Sequence, residues 1–195
     1  MGNLISIDQS LTCTGATIFD ETGHLTHFEC IKTTNDESVV GRISFISERV
    51  VQLYQTNQCT DIVFEQLSYG SMGDATRNLA GLLFTIETKL YERLGIDNIT
   101  KLAPTSVKKF ATGYGGSKKQ KVTKADMWEA LPDMIAEDFL NMGYKKTKGG
   151  YDLTDAYFIG KLHMENNRKM AIIADELLNE DWYEHYWTWK ITQRS

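Results

Sequence analysis

The sequence predicts an α/β domain on a five-stranded sheet, and three observations carry that expectation. The first 31 residues hold three short apolar or β-branched runs, at 3–7, 16–19 and 25–31, with Glu21-Thr22-Gly23 as the turn between the last two. This reads as a three-strand antiparallel opening. Apolar residues then recur at helical spacing (Val39, Ile43, Ile46, Val50, Leu53) before a short buried run at 61–64, the pattern of a strand–helix–strand crossover. A second long helix and a further β run at 99–102 complete the series.

Each element has its own local reason. Residues 3–7 (NLISI) are apolar enough for a buried strand and lead into Asp8, and residues 61–64 (DIVF) lead into Glu65. Asp74 can cap a helix through about Arg93, with Leu79, Leu82, Leu83, Ile86 and Leu90 on its inner face. Helices over 104–112 and 122–131 flank the glycine-rich GYGGSKK turn. Residues 141–150 (NMGYKKTKGG) read as a mobile basic loop, and 151–167 as a long helix. The chain after Arg168 is expected to be an appendage whose Trp182, Tyr183, Tyr186, Trp187 and Trp189 pack onto the domain or a partner, base stacking being the alternative.

A length of 195 residues suits one domain with a substantial core, and 42% hydrophobic with 24% charged residues is ordinary for a globular protein. No run approaches the ~20 apolar residues of a membrane span, so no membrane partner is expected. Cys13, Cys30 and Cys59 are odd in number and lack CxxC spacing. That argues against a disulfide framework or a zinc site and suits a reducing compartment. With no secretory signal visible, the expected location is cytoplasmic, in a bacterium or a virus-infected cell. The MGNLIS start fits a myristoylation pattern, but residues 4–7 read as a first strand; Asn98-Ile99-Thr100 fits a glycosylation pattern that a cytoplasmic chain would not use.

The net charge of −5 looks wrong for a nucleic-acid binder until its distribution is considered. From Asn98 to Ala125 there is no acid, while Lys101, Lys108, Lys109, Lys118, Lys119, Lys121 and Lys124 are all basic; Lys145, Lys146 and Lys148 form a second patch. Residues 171–195 instead carry Asp175, Glu176, Glu180, Asp181 and Glu184 against Lys190 and Arg194. Segregation of this kind marks where a polyanion would lie.

Four acids dominate the chemistry: Asp8 and Glu65, each after an apolar strand, and Asp152 with Asp155 in the helical YDLTDAYFIG. Residues at i and i+3 share a helix face, so the last two can point to one site. Four carboxylates at one sheet edge would repel one another unless divalent cations lay between them. Mg²⁺ and Mn²⁺ take oxygen ligands and bridge carboxylates to phosphates, so such a cage predicts phosphodiester chemistry.

This order of strands and helices, with acids after the first strand, after the fourth and on the last helix, resembles the ribonuclease H-like fold, a mixed five-stranded sheet flanked by helices. Within it, APTSVKKFATGYGGSKKQKV followed by DLTDAYFIG is similar to the RuvC-type Holliday junction resolvases, over roughly residues 3–165. The resemblance implies a nuclease domain over 1–168; residues 169–195 are extra to the family's pattern and are expected to be a C-terminal extension packed on the domain or a partner. It implies that Asp8, Glu65, Asp152 and Asp155 bind two Mg²⁺ ions, with Mn²⁺ able to substitute, Asp8 bridging both. Lys119 matches the lysine after the family's GxG turn and is the implied catalytic lysine, with Lys118 the alternative by one residue. Lys108 matches the lysine of its VK pair, in a structural or phosphate-contacting role. Tyr69 stands near where the family places an aromatic that probes the junction centre, or else it covers the core. Lys118, Lys119, Lys121 and Lys124 are the candidate phosphate contacts.

The activity implied is paired hydrolysis of DNA at four-way junctions by a homodimer, to whose interface the helix at 74–93, with Leu82, Leu83 and Ile86, could contribute; ordinary core packing is the competing role. Two other readings stay open: a ribonuclease H-like nuclease for other branched DNA or RNA–DNA hybrids, and a non-catalytic junction-binding protein. A sugar-kinase or actin-like ATPase would need phosphate loops and a second domain, for which the length leaves little room.

Overall fold

A computed structural model describes residues 2–67, 73–117 and 120–179, without side chains for 176–179. Five strands, β1 (Asn3–Asp8), β2 (Cys13–Phe19), β3 (Leu25–Lys32), β4 (Cys59–Glu65) and β5 (Thr100–Leu102), form one mixed sheet in the order β3-β2-β1-β4-β5. β1 pairs antiparallel with β2 and parallel with β4, and β4 pairs parallel with β5. α1 (Val39–Thr56) carries the chain from β3 across the sheet to β4 beside β1, and α2 (Asp74–Leu94) joins β4 to β5. The remaining helices are α3 (Pro104–Thr112), α4 (Lys124–Glu129), α5 (Asp133–Asn141) and α6 (Gly150–Asn179).

The two faces of the sheet have different tasks. Side chains alternate along a strand, so Ile5 and Ile7 of β1 and Ile62 and Phe64 of β4 enter one core with Ile46, Val50, Leu82, Ile86 and Leu90 of α1 and α2. The alternate residues of β1 meet α6: the Ser6 hydroxyl donates to the Ala156 carbonyl at 2.6 Å. Phe19 of β2 packs its ring 5.7 Å from that of Tyr157 on α6. Leu82, Leu83 and Ile86, considered above for a dimer interface, are buried in this chain's own core.

Three differences from the expectations have physical causes. β2 begins at Cys13 rather than at 16, because Cys13, Thr14 and Gly15 pair across to β3 at Lys32, Ile31 and Cys30. The helix expected over 122–131 is shorter, and Pro132 starts a separate helix, α5, whose Phe139 packs 4.7 Å from Phe28. Cys13 and Cys30 form a disulfide, which overturns the expectation of none. Cys30 lies opposite Gly15, two residues from Cys13 on β2, so strand register and not a local motif brings the sulfurs together. Cysteine count thus carries no argument about compartment here. The remaining Cys59 is buried and free.

The chain divides into two compact units, Met1–Leu162 and His163–Ser195. The five strands, and α6 as far as Leu162, belong to the first. The aromatic residues at 182–189 lie outside the described residues. No described helix is long and apolar enough to cross a membrane.

Candidate active site

Strand alternation places the first two acids. Ile7 of β1 is in register with Phe64 of β4, and both point into the α1–α2 core, so Asp8 and Glu65, next along two parallel neighbours, emerge together on the face that α6 covers. The first turns of α6 bring Asp152 and Asp155 to the same strand ends. Asp8 and Asp152 are buried, Asp155 nearly so. Asp8, Glu65 and Asp155 line a cavity of about 260 Å³ with Lys108 of α3, Lys124 of α4 and the apolar Pro104, Val107, Val122 and Met127.

Lysine 124 enters this cluster through local sequence. Thr123 and Asp126 form a reciprocal capping box at the start of α4, fixing Lys124 as its first residue. From there its ammonium donates to Asp152 Oδ1 at 2.8 Å and lies 3.1 Å from Asp155 Oδ2. The second oxygen of Asp152, Oδ2, is buried and has no hydrogen-bond partner among the described residues. Gln9 supports the strand ends: its Nε2 donates to the Glu65 carbonyl at 2.7 Å.

The electrostatics record crowded negative charge. Burial, followed by the charges of Asp155 and Glu65, raises Asp8 well above the usual carboxylate range. Burial and then Asp155 push Glu65 up to about 7, against the opposing pull of Lys108 and Lys124. Asp155 is raised by burial despite Lys124 beside it. Burial would lower Lys124, but Asp155, Asp152 and Asp8 together raise it. One ammonium does not neutralise this many acids, and an orphaned carboxylate oxygen among them fits a further cation. The donors are all oxygen, which suits a hard divalent ion such as Mg²⁺. Sulfur is not part of the set: Sγ of Cys13 and of Cys30 lie within 4.8 Å of each other and of an Asp152 oxygen, but the sulfurs are bonded to each other and offer no thiolate.

The structure therefore gathers Asp8, Glu65, Asp152, Asp155, Lys108 and Lys124 at one place. Lys121 is exposed on the approach to α4 and does not line the cavity. Tyr69, Lys118 and Lys119 lie outside the described residues. Sequence reasoning missed Gln9, for which a polar residue after a strand-end acid is no signal. It also read Lys124 only as a phosphate contact; the capping box beside it marks a helix start and does not show which acids the lysine meets.

The family model described as crossover junction endodeoxyribonuclease RuvC matches residues 4–135. No curated protein matches the chain. Among solved structures, Thermus thermophilus RuvC in complex with a Holliday junction substrate is similar at TM-score 0.64 and 18% identity, over 87% of this chain and 96% of that one. The yeast mitochondrial Holliday junction resolvase is similar at TM-score 0.58 and 14% identity, over 82% of this chain and 76% of that one. The fowlpox virus Holliday junction resolvase follows at TM-score 0.54 and 16% identity, over 84% and 98%. At these identities the structures establish a shared fold, the mixed-sheet ribonuclease H-like architecture expected from the sequence.

Proposed function

The chain belongs to the crossover junction endodeoxyribonuclease RuvC family, and from that premise we propose that it is a structure-selective endonuclease that resolves four-way DNA junctions. The observation that carries this reading is the convergence of Asp8, Glu65 and Asp155, from two strands and one helix, on one cleft where burial raises all three, with Asp152 joined to them through Lys124. We assign these four side chains to two Mg²⁺ ions, with Mn²⁺ able to replace the Mg²⁺. Such ions, when bound, lower the pKa of a coordinated water and offset charge on the scissile phosphate and its leaving oxygen.

The chain's own residues supply position and shape. Asp8 feels the charges of both Glu65 on its neighbouring strand and Asp155 on the helix, and we assign it to serve both ions. Val107, Val122 and Met127 make part of the cleft wall apolar, which strengthens the charge interactions beside them. Lys108, on the cleft wall, is positioned to meet a phosphate oxygen. Lys119 is assigned the stabilisation of charge developing on the phosphorus-bound oxygens. Two symmetric cuts require two such sites, so a homodimer on a two-fold axis is part of the proposal.

The test is cleavage of labelled four-way junction, flap and RNA–DNA hybrid, with and without Mg²⁺, by the native protein and by Asp8→Asn and Asp155→Asn. The expected result is Mg²⁺-dependent cutting of the junction, abolished in both variants, with junction binding retained or tightened. Preferred cutting of the hybrid or flap would move the assignment to another ribonuclease H-like nuclease. Undiminished cutting by either variant would reject the cage.

A further inference from the structure

Lys124 stands where a metal ion would stand. Its ammonium lies 2.8 Å from Asp152 Oδ1 and 3.1 Å from Asp155 Oδ2, joining the two helix acids assigned above to the cations. Its field also reaches Asp8 and Glu65, pulling against their elevation. Yet the side chain as a whole is 52% exposed, so the lysine is not enclosed together with the acids it pairs.

We propose that Lys124 is a displaceable internal counter-ion that closes the acid cluster of the metal-free protein and is expelled when metal loads. The inference rests on the metal-cage reading above and adds to it a residue that sets the strength of metal capture. An ammonium and a divalent ion sharing the same two carboxylates repel each other strongly at such separations, because those carboxylates are largely buried. The Asp152–Asp155 pair therefore serves one cation or the other. Lysine suits the role: it is a compact charge on a flexible stem, without the bidentate grip by which arginine would lock onto a carboxylate. In the metal-free state the ammonium keeps buried acids from facing one another unpaired, which is costly. The coupling is reciprocal, so whatever metal does to the lysine contact, the lysine does to metal affinity by the same factor.

The test is Mn²⁺ titration by calorimetry on chelator-stripped, DNA-free protein, comparing native chain, Lys124→Met and Lys124→Arg. The methionine keeps the length of the stem and removes the charge. Expected is Mn²⁺ binding at least roughly fivefold tighter in Lys124→Met, in the range of ordinary coupling between sites, with Lys124→Arg no tighter than native. A second readout follows melting: Lys124→Met should melt lower than native in chelator, and the gap should close at saturating Mn²⁺. Equal or weaker Mn²⁺ binding by Lys124→Met, with native uptake intact, overturns the counter-ion proposal alone. Absence of Mn²⁺ uptake by all three proteins overturns the cage reading and the proposal with it.

Discussion

Gly15 and Asp152 are in such close contact that a β-carbon on Gly15 would lie 2.2 Å from the Asp152 carbonyl oxygen. The strand residue is glycine for space, not for conformation. The obstacle is helix backbone, which cannot rotate away as a side chain could. Gly160 repeats the device further along α6, where a β-carbon would lie 2.4 Å from the Phe19 ring. The helix bearing Asp152 and Asp155 is thus seated directly on β1 and β2, and its height above Asp8 is set by the lack of a side chain at Gly15.

Gly15→Ala should therefore act on chemistry as well as on stability. Overpacking of a filled interior costs about 1–3 kcal/mol, readable as a lower denaturation midpoint. Lifting the first turns of α6 also separates its two acids from Asp8, so cleavage and Mn²⁺ affinity should fall while junction binding holds. Gly160→Ala presses on a ring instead of backbone, and should lose stability with a smaller effect on Mn²⁺ affinity. Equal effects of the two on metal binding would count against helix seating as the cause.

The metal-free protein should become less stable as pH rises through the window set by Glu65. An exposed glutamate titrates at 4.5 and this one at about 7, so between those values the folded state keeps a proton that the unfolded state has lost. Stability then falls with rising pH, by up to about 1.4 kcal/mol per pH unit for each such group. Asp8 and Asp155 are raised as well and add in the same direction. Metal capture runs the other way, since the ligands must give up protons to bind, and Mn²⁺ affinity should climb over the same window. Glu65→Gln is the check: melting in chelator across that range should flatten relative to native. A variant with an unchanged pH profile would remove Glu65 as the source.

How far the sequence spoke depended on the range of the physics involved. Alternation and helical spacing are local, so the strand order, the crossover and the four acids were legible, and Ile7 beside Asp8 or Phe64 beside Glu65 already implied which face each acid takes. The Cys13–Cys30 bond was not, because it follows from a register between strands that spacing alone does not give. Nor was the pairing of Lys124 with Asp152 and Asp155, 28 residues away at its first partner; a lysine run looks alike whether its members face solvent or an acid. Leu82, Leu83 and Ile86 show the same limit, since a leucine stripe reads equally as interface or interior until the helix is docked.

The disulfide should matter to stability more than to the reaction. It joins strands already paired by hydrogen bonds, closing a loop with a sequence separation of 17 residues. Loop-closure entropy for that size is worth roughly 3 kcal/mol. Cys13→Ser with Cys30→Ser should accordingly lower the denaturation midpoint to about that of the native chain held under reductant, and added reductant should leave the double variant unchanged. A native midpoint insensitive to reductant would show that the bridge contributes nothing beyond the strand pairing.

Salt dependence of junction binding should distinguish lysines that appear equivalent in the sequence. Lys101 is 2.5 Å from Glu87 and is already neutralised within the fold, whereas Lys121 is exposed, close to the cleft and unpaired by any described acid. A lysine that meets a DNA phosphate releases a counter-ion, and each such contact adds about 0.9 to the slope of log affinity against log salt. Lys121→Ala should reduce that slope by about this amount and weaken binding similarly for every junction sequence, while Lys101→Ala should leave the slope unchanged. In Lys118→Ala and Lys119→Ala the slope should fall likewise, and the one of the two that also loses cleavage at saturating DNA is the lysine acting on the reacting phosphate. If Lys121→Ala, Lys118→Ala and Lys119→Ala all left the slope at its native value, the basic stretch between Asn98 and Ala125 would not be the surface on which DNA lies.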